Sequence, residues 1–286
     1  MTKIDIFEGL KDFSQYAPGI GADTSFEQLG THIRVTTSEI WDHITVDVYM
    51  ALRSAPPENA TDAQKEALAE GLQLLKTAIA AGTMVKRQIF ATVDRAGTES
   101  SLYKYQHEEL KQHYREAYWT AIDDLIEWLL KNKEVGNYNK SSICKEIESL
   151  PLKSAEEFDR YFQIGRSSYF FSRVRYLIKS KWDIVRKITD TSSQEQMELA
   201  RKAVCYMVMA DVVLTFDVTE WPKSIRYDFN HEYSKGSSTQ SRQILARNFL
   251  DEAQAATSAI SDLAAGTAGA GLQNFNKESN KHVTML

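Results

Sequence analysis

This chain is poor in the residues that interrupt or staple a fold. Its 286 residues include five prolines, Pro18, Pro56, Pro57, Pro151 and Pro222. All fall between periodic segments, so long helical windows stay intact. The two cysteines, Cys144 and Cys205, form no CxxC pair, which argues against a disulfide framework or thiolate metal site and for reduced thiols of a cytosolic product. No apolar run nears the roughly 18 residues that span a bilayer. The opening MTKIDIFEGLKDFSQYA lacks the basic stretch and apolar stretch of a secretory leader. GxSxG, Walker A, HExxH and zinc-knuckle spacings are also missing, so hydrolase, P-loop and zinc-peptidase chemistry have no residues to rest on. Gly266, Gly269 and Gly271 follow no strand and precede no helix; they read as linker, not as a dinucleotide loop.

What the chain does have is helical rhythm, in two passages that resemble each other. Phe13-Ser-Gln-Tyr16, a turn and a helix from Phe26 to Ile44-Thr45 are matched by Phe158-Asp-Arg-Tyr161, a turn and a helix from Phe170 to Ile188-Thr189. A constant offset places Phe26 on Phe170, Ile33 on Leu177, Ile40 on Ile184 and Ile44 on Ile188. A unit this long is no solenoid module. The expected fold is all-α: two tandem helical-bundle repeats and an extended C-terminal tail. Residues 1–135 form repeat 1, 136–153 a bridging helix, 154–264 repeat 2 and 265–286 a flexible tail.

Apolar spacing predicts a short helix at 4–13, a turn at Tyr16–Gly21 and a long helix at 25–54, carried by Leu29, Ile33, Ile40, Ile44 and Val48 and ended by Pro56-Pro57. Thr61 or Asp62 caps a helix at 62–94, followed by a turn at Arg95-Ala-Gly-Thr. A helix at 100–132 has Leu110, Tyr114, Ala117, Ala121, Leu125 and Trp128 on one face, and the bridging helix runs over 141–149. Ser154-Ala-Glu-Glu opens repeat 2 with a capping-box pattern. Helices follow at 168–189 and 193–216, the latter apolar enough to be fully buried. Residues 217–236 read as an irregular insertion before a last helix at 238–264.

The net charge of −5 conceals an asymmetry. Residues 1–62 hold ten acids against four bases, whereas residues 160–187 hold one acid, Asp183, against eight bases. The bases are Arg160, Arg166, Arg173, Arg175, Lys179, Lys181, Arg186 and Lys187, interleaved with aromatics such as Tyr161, Tyr169 and Tyr176. Such a segment is a solvated face, a surface for an acidic protein partner, or a phosphate contact. No helix-turn-helix or RRM signature accompanies it, so sequence-specific reading of nucleic acid is not expected. An acidic face and a basic face on one subunit would attract head to tail and close into a ring if the rotation permits.

Other candidates read as structure. Glu109, His113 and Glu116 share a helix face, but a di-iron bundle needs a second helix with Glu-x-x-His. The matching helix offers Arg247, Asp251 and Gln254. No metal and no cofactor are expected, and Asp123-Asp124 is a charged patch on a helix, not a glycosidase pair. Tyr103, Tyr105, Tyr114, Tyr118, Trp119 and Trp128 crowd one helix; most belong to the core and the rest suit interface anchors.

The paired opening, a few apolar residues, a turn and an amphipathic helix, resembles the head–tail connector or adaptor proteins of tailed phages. More closely, Ser154-Ala-Glu-Glu-Phe-Asp-Arg-Tyr-Phe-Gln-Ile and Ser167-Ser-Tyr-Phe-Phe resemble an uncharacterised family from Bacteroidetes and their phages. The resemblance covers most of residues 4–263 and carries no catalytic residues. It implies a non-enzymatic ring in the virion neck, assembled in the bacterial host cytoplasm, of about twelve copies matching the portal. Its partners would be copies of itself, the portal protein and neighbouring tail or neck proteins, with lumen-facing bases touching the exiting DNA; no membrane and no small molecule enter. The tail would order on docking through Phe275, Val283, Met285 and Leu286. The alternative is a helical nucleic-acid-binding protein using residues 160–187; a third reading is a bundle metalloenzyme using Glu109, His113 and Glu116.

Overall fold

The computed structural model describes residues 6–17, 20, 25–95, 104–232 and 238–265. Among these every regular element is a helix and none is a strand, so the fold is all-α. The chain divides into two compact units, residues 1–149 and 150–286, each with its own core. The turn residues Pro18, Gly19 and Gly21, the turn at 96–98, and residues 266–286 with the four predicted docking residues lie outside the described residues.

In the first unit, Ile6 and Phe7 are buried before the first helix, α1 (Leu10–Tyr16), begins. Helix α2 (Phe26–Ile44) starts with a full capping box, Ser25 accepting from the Gln28 amide and Gln28 returning the bond. The long helix expected over 25–54 is in fact two. At Thr45 the backbone turns to φ 77°, which costs a β-branched residue strain. Thr45 nevertheless still donates to the Trp41 carbonyl at 2.9 Å, and its hydroxyl accepts from the Val48 amide of α3 (Val46–Arg53). The same residue closes one helix and caps the next.

Helices α4 (Asp62–Arg95) and α5 (Lys104–Lys131) pack along each other as a hairpin, and α2 lies on α4. Thr61 and Gln64 exchange bonds at the start of α4. Leu75, Ile79 and Met84 of α4 meet Ile122, Leu125 and Leu129 of α5 in the core. Two turns of 3-10 helix (Val135–Lys140) then press against α3. The predicted bridging helix, α6 (Ser142–Ser149), gives Cys144 and Ile147 to this same core.

The second unit opens with α7 (Ala155–Asp159), capped by Ser154, whose hydroxyl accepts from the Glu157 amide at 3.2 Å. Glu157 bonds the Lys153 amide, one residue before the cap. Helix α8 (Ser168–Val185) packs on α9 (Gln194–Thr215), and α9 lies along α11 (Ser238–Ala264). As its apolar sequence demands, α9 is central: none of residues 196–213 is exposed.

The segment expected to be irregular before α11 is built. Asp217 and Glu220 form a capping box around a short 3-10 turn, followed by α10 (Lys223–Glu232). Trp221, Ile225 and Phe229 recur every four residues and are all buried, with the Trp221 and Phe229 rings 5.0 Å apart.

The offset read from the sequence does not align the buried faces of α2 and α8. Ile40 and Ile44 are fully buried, but Ile184 and Ile188 are 55% and 45% exposed. The buried set of α8 is Phe171, Val174, Ile178, Trp182 and Val185. An offset one residue longer places Leu29, Ile33, Thr37 and Ile40 on the last four of these, and it is the offset that already relates Phe13 to Phe158, both fully buried. Isoleucine on a solvated face had masqueraded as core.

Candidate interaction surface

The basic segment begins in the loop between α7 and α8. The Asp159 carboxylate accepts from the amides of Ile164 (2.7 Å) and Arg166 (3.1 Å), folding residues 160–167 around itself. Gly165 and Arg166 both take positive φ, 66° and 52°, and Ser167 caps α8 by accepting from the Phe170 amide at 3.0 Å. Below the loop, the Tyr161 hydroxyl donates to Glu198 of α9, and Glu198 also accepts from Gln194 (2.6 Å) and Arg201 (3.1 Å). Arg201 in turn donates to the Pro151 carbonyl at 3.0 Å. This network ties the entry of the unit to its central helix.

The eight predicted bases do not form one bare cationic field. Arg173 reaches Glu220 at 2.8 Å with its guanidinium over the Phe216 ring, and Lys181 reaches Asp211 of α9 at 2.6 Å. Those two pin α8 to the rest of its unit. Arg160 pairs with Glu156 (3.6 Å) and Arg186 with Asp183 (3.1 Å), both on the exposed surface. Arg175 lies over Phe171, 5.4 Å from the ring centre. Lys179 and Lys187 are exposed. A patch so largely neutralised by its own unit has fewer cations to offer a phosphate backbone, whose affinity depends on uncompensated charge.

What α8 does present is a mixed stripe at helical spacing: Arg173, Tyr176, Ser180, Ile184 and, just past the helix end, Lys187, all exposed. Tyr176 is 62% exposed and Ile184 55%. Sequence reasoning missed that Ile184 belongs to the surface, because periodicity alone does not distinguish an apolar stripe turned inward from one turned outward; Tyr176 lies in the segment already read as surface.

Residues 92–147 and 178–264, together half of the length, match the family of unknown function DUF6712. The chain belongs to that family. The matched segments run from the end of α4 into α6 and from mid-α8 to the end of α11. They leave out α2 and α3 of the first unit. No curated protein and no solved structure matches the chain.

The remaining candidates sort by position. His113 is exposed and touches the Tyr114 ring edge-on, Glu116 is half-buried, and the side chains of Glu109 and Leu110 lie outside the described residues. Among the described residues no three His, Cys, Asp or Glu side chains converge as metal ligands. Tyr118 and Trp128 are buried, Tyr114 and Trp119 half-buried; the side chains of Tyr103 and Tyr105 lie outside the described residues. Trp128 donates to Glu70 at 3.2 Å. No described helix is long and apolar enough to cross a membrane.

The two units differ in charge. Residues 1–149 carry 23 acids and 16 bases, residues 150–286 carry 16 acids and 18 bases.

Proposed function

We propose that the chain is a non-enzymatic structural subunit of the head–tail connector of a tailed bacteriophage, a ring in the virion neck between portal and tail, made in the host cytoplasm. The observation that carries the reading is the combination in one chain of two helical units of unlike charge. Each is held by its own apolar core, and their outward helices carry apolar residues among charges. Surfaces of this kind serve assembly, where partners are positioned and nothing is transformed. The resemblance of Ser154–Ile164 and Ser167–Phe171 to phage-associated proteins supports the same reading. The portal, the adjoining tail or neck proteins and further copies of the chain are the partners it implies.

The test is to purify the virus particles on a density gradient and quantify this chain against the major capsid protein. A constant ratio of about a dozen copies per particle, the number that the resemblance to connector rings implies for a closed ring, is the expected result. Absence from the particles overturns the reading.

A further inference from the structure

The shifted offset brings two outward faces into correspondence, one in each unit. On α2 the outward stripe is Glu27, Thr31, Val35, Ser38 and Asp42, all exposed. The next helix, α3, adds Val46, Asp47 and Met50, also exposed. Val35, Val46 and Met50 are 45%, 46% and 42% exposed, three large apolar side chains turned outward on two consecutive helices. In the second unit the same offset places Thr31 on Tyr176, Val35 on Ser180, Ser38 on Asp183 and Asp42 on Lys187, all exposed, with Lys179 and Ile184 beside them on the α8 surface.

The faces are alike in apolar content and opposite in charge. Glu27, Asp42 and Asp47 outweigh Arg34 on the first. On the second, Lys179, Arg186 and Lys187 outweigh Asp183, while Arg173 is held by Glu220. Arg186 has a carboxylate partner in its own unit, but an exposed pair of this type contributes at most about 1 kcal/mol and exchanges readily. Pairing either face with its own copy would set acids against acids or bases against bases, which disfavours a two-fold contact. Pairing the first face of one molecule with the second face of another satisfies both the charges and the apolar residues. A contact between unlike faces propagates, and it ends in a ring or an open filament.

We propose that the α2–α3 face of one molecule docks on the outer face of α8 in a second copy of this chain. Val35, Val46 and Met50 cover Tyr176 and Ile184, and Asp42 and Asp47 face Lys179 and Lys187. The proposal deepens the connector reading by naming the contact between subunits, yet it is decided in solution on the purified chain, whereas the connector reading is decided by the content of virus particles. Either can fail without the other.

The experiment uses the full chain in sedimentation velocity at rising concentration and low salt. One variant carries Asp42→Lys and Asp47→Lys, another Lys179→Glu and Lys187→Glu. The wild type associates with concentration, and salt weakens the association. Each variant raises the apparent dissociation constant by about tenfold or more, the scale of interfacial charge pairs. An equimolar mixture of the two recovers association, because one variant's new basic face meets the other's new acidic face. As a second readout, Ser38→Cys and Ser180→Cys chains, mixed and treated with a bis-maleimide, cross-link to each other in preference to themselves. Cys144 and Cys205 are buried and do not compete. A wild type that stays monomeric, variants that associate unchanged, a mixture that fails to recover, or cross-links formed as readily between like chains would each overturn the proposal. So would a chain bearing both cysteines that cross-links only within itself on dilution, since the two faces would then belong to each other in one molecule.

Discussion

Gly136 sits against the backbone of Val48: a Cβ placed on it would stand 2.4 Å from the Val48 Cα and amide nitrogen. Its φ of 56° is followed by Asn137 at 55°, so the 3-10 segment after α5 turns in the left-handed region while touching α3. Two independent demands, conformation and space, fall on one residue. Gly136→Ala should destabilise the first unit by about 2–4 kcal/mol, the sum of left-handed strain and overpacking. Gly30, in α2 with open space around its Cβ position, is the control. Gly30→Ala should stabilise by up to about 1 kcal/mol. Urea denaturation of the two variants checks both signs.

Isoleucines that looked equivalent in sequence should behave oppositely. Ile40→Ala removes a fully buried side chain and is expected to cost about 2–5 kcal/mol. Ile184→Ala trims a side chain that is 55% exposed and should change stability by less than about 0.5 kcal/mol. Equal losses in the two variants would restore the shorter offset. Ile178→Ala should fall with Ile40→Ala.

Lys76 of α4 holds α1 in place. Its ammonium is 2.8 Å from Asp12 and lies over the Phe7 and Tyr16 rings at 5.6 and 5.5 Å. Burial alone would raise the Asp12 carboxyl, but the Lys76 hydrogen bond, the Glu8 amide and the Lys76 charge outweigh it and hold the carboxyl below its ordinary value. A depressed acid stabilises the fold above its unfolded value of about 3.9, and that stability is lost as pH falls through the lower folded value. Asp12→Asn should therefore cost about 2 kcal/mol at neutral pH, the scale of a hydrogen bond to a charged group. The difference from wild type should shrink below about pH 4. Denaturant midpoints from pH 3 to 7 measure the convergence; a gap that stays constant would refute the linkage.

Tyr161 makes the reciprocal prediction at high pH. Burial, with Glu198 beside it, pushes the phenol from its ordinary value up to about 12. A raised phenol favours the folded state below the unfolded value of about 10, and that contribution disappears as pH climbs through 12. Tyr161→Phe should lack this part of the alkaline decline in stability, seen as a shallower fall of the denaturation midpoint above pH 10 than in wild type. Parallel curves would assign the decline to other groups.

Much of the helical architecture was legible because its signals are local. Ser25, Thr61, Ser154 and Ser167 announce helix starts through hydroxyls that accept amides a few residues on, and the apolar run of α9 declares its central place. The insertion was legible too, had Trp221, Ile225 and Phe229 been read at their four-residue spacing and not as loop. One feature needed more than local signals. The break at Thr45 leaves no proline or glycine to mark it; what makes the left-handed turn tolerable is a hydroxyl serving as cap for α3 and the packing of both helices on α4.

For the surface, the sequence by itself determined the inventory: where the acids and bases fall, that the elements are helices, and that two passages share a spacing. Tertiary structure alone decided which residues face out. A helix fixes only relative angles among its side chains, and the direction of the apolar stripe is set by what it packs against. That is why Ile184 is on the surface while Ile178 is not, and why Arg173 and Lys181 are tied to Glu220 and Asp211 on neighbouring elements. Ion pairs between helices join residues distant in the chain, so no sequence spacing announces them.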